Sequence, residues 1–128
     1  MQVDLLRCRV CGTEHPAIAH GICSDCFGPL EPVYDWDTIA RTVSRTSIAS
    51  GPRSLWRYAK ALPLAVRDPI TMGEGCTPLV ERRIAGARAL MKLEWFAPTG
   101  SFKDRGASVM LSVLRQQGIE HVLEDSSG

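Results

Sequence analysis

The chain has 128 residues, 45% of them apolar and 23% charged, which suits one domain of usual size or a small module joined to part of a larger one. Its formal net charge is +1, so it lacks the basic excess that a nucleic-acid or polyanion partner normally demands. No apolar run reaches membrane-spanning length and no secretory signal opens the chain, so no membrane partner is expected and the expected compartment is the cytoplasm.

Residues 1–34 read as a cysteine-pinned module with turn signals at Gly12, Pro16, Gly21, Gly28-Pro29 and Pro32. Its apolar residues are too few and too scattered to make a core unaided. Four of the chain's five cysteines fall here in two pairs, Cys8-x2-Cys11 and Cys23-x2-Cys26, with eleven residues between them. A two-residue spacer lets both thiolates of a pair turn toward one ion, and two such knuckles make a tetrahedral S4 site that suits Zn²⁺. Gly12 relieves the turn that this geometry demands after Cys11. A closed S4 site keeps no position open for substrate, so the ion would be structural and would supply folding energy. The alternative is a ribbon of reduced cysteines that folds without metal. His15 and His20 read as loop residues, and Cys76 as a small residue in a tight turn beside Gly75 and Thr77.

Residues 35–72 read as a helical linker region. "DTIARTVSR" (37–45) puts Ile39, Ala40 and Val43 on one side of a short helix, with Asp37 near its positive end. "SIASGPRS" (47–54) reads as a linker, and 54–62 as a second short helix carrying Leu55, Trp56 and Ala59, ended by Pro63. Trp36, Trp56 and Trp95 read as packing residues.

The third region, 73–128, starts in a loop-like stretch whose "ERR" (81–83) reads as a solvated turn. "ALMKLEW" (89–95) reads as a strand, 98–100 as a turn and Ser101 as a helix N-cap. Phe102, Gly106, Val109/Met110, Val113/Leu114 and Gln117 keep a helical period as far as Gly118, a good C-cap, with Lys103, Ser108, Ser112 and Arg115 on the opposite face. "IEHVLEDSSG" (119–128) adds a strand headed by His121, then a loop. Strand, helix and strand imply a right-handed parallel βαβ unit. An ending at the tip of a strand reads as that of a fragment.

Within "PTGSFKDRG" (98–106), Lys103 stands between a glycine turn and a helix. The positive end of a helix disfavours an ammonium and favours the neutral amine that attacks carbonyls. Asp104 offsets that field, and Arg105 is placed to pair with a carboxylate. The competing reading is a solvated lysine in an ordinary first turn.

"PTGSFKDRG" resembles the cofactor-lysine motif of the fold-type II pyridoxal-phosphate enzymes. "GEGCTPL" (73–79) and the N-terminal "CRVCG…CSDCFGPLEPVYD" are most similar to threonine synthases within that group. The resemblance implies a zinc-ribbon-like module followed by the start of a three-layer α/β/α catalytic domain. It also implies a lyase-type activity that converts O-phospho-L-homoserine and water to L-threonine and phosphate. Lys103 would hold pyridoxal 5′-phosphate covalently and later shuttle protons, and Ser126, Ser127 and Gly128 would hold the carboxylate of an amino-acid substrate. A homodimer is implied by analogy. The alternatives within the resemblance are a threonine/serine dehydratase or a truncated, non-catalytic piece. Ala97 stands where relatives commonly carry asparagine, and the family's phosphate cradle and pyridine-nitrogen partner cannot be assigned here.

Overall fold

A computed structural model describes residues 3–18, 21–65 and 67–124. The N-terminal part is a three-stranded antiparallel sheet of order β2-β1-β3, built from β1 (Leu5–Cys8), β2 (Glu14–Pro16) and β3 (Leu30–Pro32). Central β1 pairs Leu6 with His15 on one side and Arg7 with Glu31 on the other. The strands are three or four residues long, so ladder bonds alone hold them weakly; the cysteines at their ends close the unit.

Two short helices follow. Helix α1 (Trp36–Thr42) is capped by Asp35, whose carboxylate accepts the Thr38 N–H at 2.9 Å. Helix α2 (Arg45–Ala49) runs from the end of the expected first helix into the expected linker (47–54), because Ser44 and Ser47 form a reciprocal capping box that satisfies two otherwise orphaned N–H groups. Next comes a 3₁₀ turn, Leu55–Ala61, capped by Ser54, which buries Trp56. Trp36 and Trp95, expected to pack, are exposed; only Trp56 finds a polar partner inside for its indole N–H.

The loop expected through "ERR" (81–83) gives way to a strand from Leu79 onward. β4 (Leu79–Ile84) and β5 (Ala87–Lys92) form an antiparallel hairpin, so Glu81, Arg82 and Arg83 belong to a ladder and not to a turn. Ala85 (φ +48°) and Gly86 (φ +82°) both adopt left-handed geometry, the signature of a two-residue type I′ turn whose twist matches the flanking strands. The turn sits two residues beyond the "ERR" that masked it.

Helix α3 (Asp104–Gln116) begins three residues after Ser101 and ends on a Gly118 at φ +78°. Its face toward the rest of the chain is the small polar one: Asp104, Ser108 and Ser112 are buried, whereas Phe102, Gly106 and Met110 are exposed. The periodic apolar stripe therefore does not mark the buried face among the described residues. Polar groups of the loop before β4 meet the serines, and their hydrogen bonds decide the side that is covered. The expected parallel βαβ unit is absent from the described residues. β5 pairs antiparallel with β4, and 119–124 carries no ladder partner, without which no strand forms. His121 accordingly heads no strand. The result is a mixed α/β chain, and no described helix is long and apolar enough to cross a membrane.

Candidate functional site

Two polar anchors fix the turn that presents Lys103. On one side Asp104, 6% exposed, accepts the Thr99 backbone N–H at 2.9 Å and the Thr99 hydroxyl, closing the turn 98–103 across its mouth. Those Thr99 bonds hold the Asp104 carboxyl below the usual carboxylate range despite its burial. On the other side Arg105 grips Glu94 with Nη2 at 2.9 and 3.0 Å and Nε at 3.2 Å, a forked contact that fixes both groups. Thr77 donates its hydroxyl to Glu94 at 2.6 Å, and the Lys92 ammonium donates to the Thr77 carbonyl. The Thr77 bond first, then Arg105, keeps Glu94 below its ordinary value. Thr77 belongs to "GEGCTPL", so the two sequence motifs meet through one carboxylate.

Between those anchors Lys103 is exposed, and its backbone N–H donates to Ser101 Oγ at 3.2 Å. Ser101 thus caps a leading turn, and the helix proper starts at Asp104. Its amine is presented from the turn into the open. The backbone on either side is held by the Asp104 and Arg105 contacts, while the side chain itself is exposed.

A second polar knot lies one and two helical turns further along α3. Glu74, 1% exposed, accepts the Trp56 indole N–H at 3.0 Å, the Ser108 hydroxyl at 2.6 Å, the Thr71 hydroxyl at 2.9 Å and the Met72 N–H at 2.9 Å. Burial alone would push Glu74 up; hydrogen bonds led by Ser108 overcome it and hold the carboxyl below its ordinary value. Ser112 Oγ accepts the Ile70 N–H at 3.0 Å and donates to the Ser108 carbonyl at 2.6 Å. The sequence reading assigned no role to Glu74. An acidic residue between two glycines, ahead of a helix with serines at i and i+4, is the available signal.

The cysteine cluster is assembled twice over by the same local rule. Gly12 N–H returns to the Cys8 carbonyl at 3.0 Å and Phe27 N–H to the Cys23 carbonyl at 3.0 Å; Val10 and Asp25 each donate to the first sulfur of their knuckle at 3.4 Å. Gly12 (φ +79°) and Phe27 (φ +60°) take the same left-handed position after the second cysteine. A Cβ at Gly28 would lie 3.0 Å from Cys8 Sγ and 2.7 Å from Val10, so this glycine admits the close approach of the second knuckle to the first.

The Sγ atoms of Cys8, Cys11, Cys23 and Cys26 all lie within 4.8 Å of one another, with Cys8–Cys26 at 3.4 Å and Cys11–Cys23 at 3.7 Å. Four sulfurs at the usual Zn–S distance stand about 3.8 Å apart in a tetrahedron, so the donor set fits such an ion. Crowding shows in the acidities. Thr13, through its hydroxyl and backbone, pulls the Cys11 thiol down to about 6. A backbone bond from Gly28 lowers Cys26, but the neighbouring cysteines and burial outweigh it and push it up to about 12. His15 Nε2 stands 3.2 Å from Cys23 Sγ, so it is no idle loop residue. His20 and the expected carboxylate-binding residues Ser126, Ser127 and Gly128 lie outside the described residues. Cys76 occupies its expected turn, at φ +49°, with Arg57 Nη1 3.3 Å from its sulfur.

Residues 70–128 match the family described as "Pyridoxal-phosphate dependent enzyme". That match takes in both "GEGCTPL" and the lysine motif. The chain is also 35% identical over 130 aligned positions to a threonine synthase of Methanosarcina acetivorans, covering 96% of this chain and 31% of the relative. A threonine synthase of Methanocaldococcus jannaschii is 33% identical over 97% of the chain and 32% of its own length. One from Halalkalibacterium halodurans is 35% identical over 59% of the chain. The chain thus spans about a third of the length of the first two relatives. No solved structure matches it significantly. The family matched by residues 70–128 is one that uses pyridoxal phosphate as cofactor.

Proposed function

We propose that this sequence serves a pyridoxal-phosphate-dependent threonine synthase reaction, in which O-phospho-L-homoserine and water give L-threonine and phosphate. The observation that carries the reading is the reach of the alignments. Likeness to threonine synthases covers 96–97% of the chain, including residues ahead of 70 that the family match does not include. The likeness thus takes in the cysteine module together with the lysine motif, which supports this reading over a generic dehydratase.

In this reading residues 1–34 are a zinc-ribbon-like module whose Cys8, Cys11, Cys23 and Cys26 hold a structural Zn²⁺. Residues 35–72 form a helical linker region, and 73–128 the first part of a three-layer α/β/α catalytic domain. Lys103 anchors the cofactor and is the catalytic residue; once free, its Nζ takes the proton from the substrate Cα. The bound cofactor supplies the electron sink for the charge left at that carbon. Ser126, Ser127 and Gly128 hold the substrate carboxylate and orient the Cα–H bond toward the lysine. Asp104 and Arg105 keep the lysine turn in place through Thr99 and Glu94. The partner is a small amino-acid substrate, with no nucleic acid or membrane involved; the compartment is the cytoplasm and the assembly a homodimer.

The test is to express the protein with all of its coding sequence, supply O-phosphohomoserine, and assay phosphate and threonine together. Equimolar release of both is expected. Threonine consumption with 2-oxobutyrate formation would move the protein to the dehydratases.

A further inference from the structure

The two knuckles repeat one another in backbone but not in what surrounds their buried sulfurs. Cys8 Sγ accepts one backbone N–H, from Val10 at 3.4 Å. Cys23 Sγ accepts the equivalent N–H of Asp25 at 3.4 Å and has His15 Nε2 at 3.2 Å as well. Cys23 is fully buried, at 0% exposure, and His15 is half-buried on β2, in register with Leu6 of the central strand. The ring is therefore held by the sheet and aimed at the sulfur that solvent does not reach.

His15 is not a fifth ligand. The ligand atoms that cluster within 4.8 Å of one another are the four sulfurs, and the His15 ring nitrogen is not among them. It lies outside that tetrahedron, against one of its corners. Four thiolates around a divalent cation leave two negative charges in excess, and a buried thiolate cannot disperse its share into water. An N–H aimed at that sulfur stabilises the excess charge and fixes the sulfur's lone-pair direction.

We propose that His15 donates its Nε2–H to the Cys23 thiolate as an outer-sphere positioning residue, which raises the affinity of the quartet for a tetrahedral divalent metal. The inference rests on the metal reading of the quartet and adds to it a residue that the cysteine spacing does not reveal.

The probe is Co²⁺, titrated into the reduced 128-residue chain, with the sulfur-to-cobalt absorption read for site composition and Zn²⁺ competition for affinity. His15→Ala is expected to bind about 10–100-fold more weakly with the four-sulfur spectrum unchanged in position and intensity. His15→Gln, which keeps an N–H donor, should recover most of that loss, whereas His15→Phe, which keeps only the bulk, should not. If His15→Ala fails to fold, the Gln–Phe pair decides, and a gap of about tenfold or more is expected. Equal affinities across the series would overturn the role of His15 and leave the metal site standing. A spectrum that loses nitrogen character in His15→Ala would make His15 a ligand and overturn the outer-sphere assignment. Failure of the unmodified chain to bind Co²⁺ would overturn the metal reading itself, and this inference with it.

Discussion

Trp56 Nε1 donates to Glu74 Oε1 at 3.0 Å, and the same oxygen accepts the Ser108 hydroxyl at 2.6 Å. One buried carboxylate thereby ties the 3₁₀ turn, the "GEGCTPL" loop and α3 into a single unit. Glu74→Gln replaces one acceptor oxygen by an N–H₂ that faces other donors, and the expected loss is about 1–3 kcal/mol of stability. The acid limb gives a second readout. The folded Glu74 titrates below its ordinary value of 4.5, so its contribution is complete above that value and is lost as pH falls through the lower folded one. Urea unfolding at descending pH should show the unmodified chain losing more stability than Glu74→Gln. Parallel curves would refute the buried-anchor role.

Much of this site was legible in the sequence, and what was missed has common physical causes. The two CxxC pairs and Gly12 announced the cluster, because ligand spacing is a local property. The pairing of Arg105 with a carboxylate and the α3 period were legible for the same reason. The β4 strand was hidden because "LVERRI" carries three charged residues in succession, and only pairing with β5 makes them a ladder. The buried face of α3 was not legible because its serines are satisfied by Ile70 and Glu74, partners some thirty to forty residues away that no helical wheel contains.

Gly75 and Gly86 offer a paired test of backbone constraint. Both have positive φ, +105° and +82°. A Cβ at Gly75 would stand 2.6 Å from the Leu55 nitrogen, whose N–H is itself bound to the Glu74 carbonyl at 2.6 Å, whereas a Cβ at Gly86 meets nothing within 4 Å. Gly86→Ala should therefore cost only the left-handed strain, about 1–2 kcal/mol. Gly75→Ala adds a backbone clash and should exceed it by at least about 1 kcal/mol, read as a lower denaturant midpoint. The reverse order would show that the 3₁₀ turn yields freely to the loop.

Metal removal should be felt first in the three-stranded sheet, whose short ladders close on the quartet. Chelation of the loaded chain should abolish protection of the β1 amides against hydrogen exchange, while those of α3 change little. Cys23→Ser should behave as the chelated protein does, and Cys76→Ser as the unmodified one, since Cys76 lies outside the cluster. Binding requires thiolates, so Cys26, pushed up to about 12 in the metal-free cluster, must surrender a proton. Apparent affinity is therefore expected to rise with pH, and Co²⁺ titrations at about pH 5 and about pH 7.5 should differ in that direction. A pH-independent affinity would exclude thiolate ligation.

The anchors on either side of Lys103 predict a division of labour within the lysine turn. Reaction of the complete protein with pyridoxal phosphate, followed by borohydride, should place a stable adduct on Lys103, located by peptide mass spectrometry. Lys103→Arg should abolish that adduct while leaving the fold intact, because the side chain is exposed and makes no buried contact. Thr99→Val removes the hydroxyl that binds Asp104 but keeps the Thr99 N–H bond, so the turn loosens without being lost. Adduct formation in that variant should slow by about tenfold, the scale on which a small misplacement of a reacting group is felt. Arg105→Lys keeps the charge but loses the fork on Glu94, and should slow it similarly. An unchanged rate in both variants would mean that the amine reacts as any surface lysine does. An adduct on another residue would remove Lys103 from the chemistry altogether.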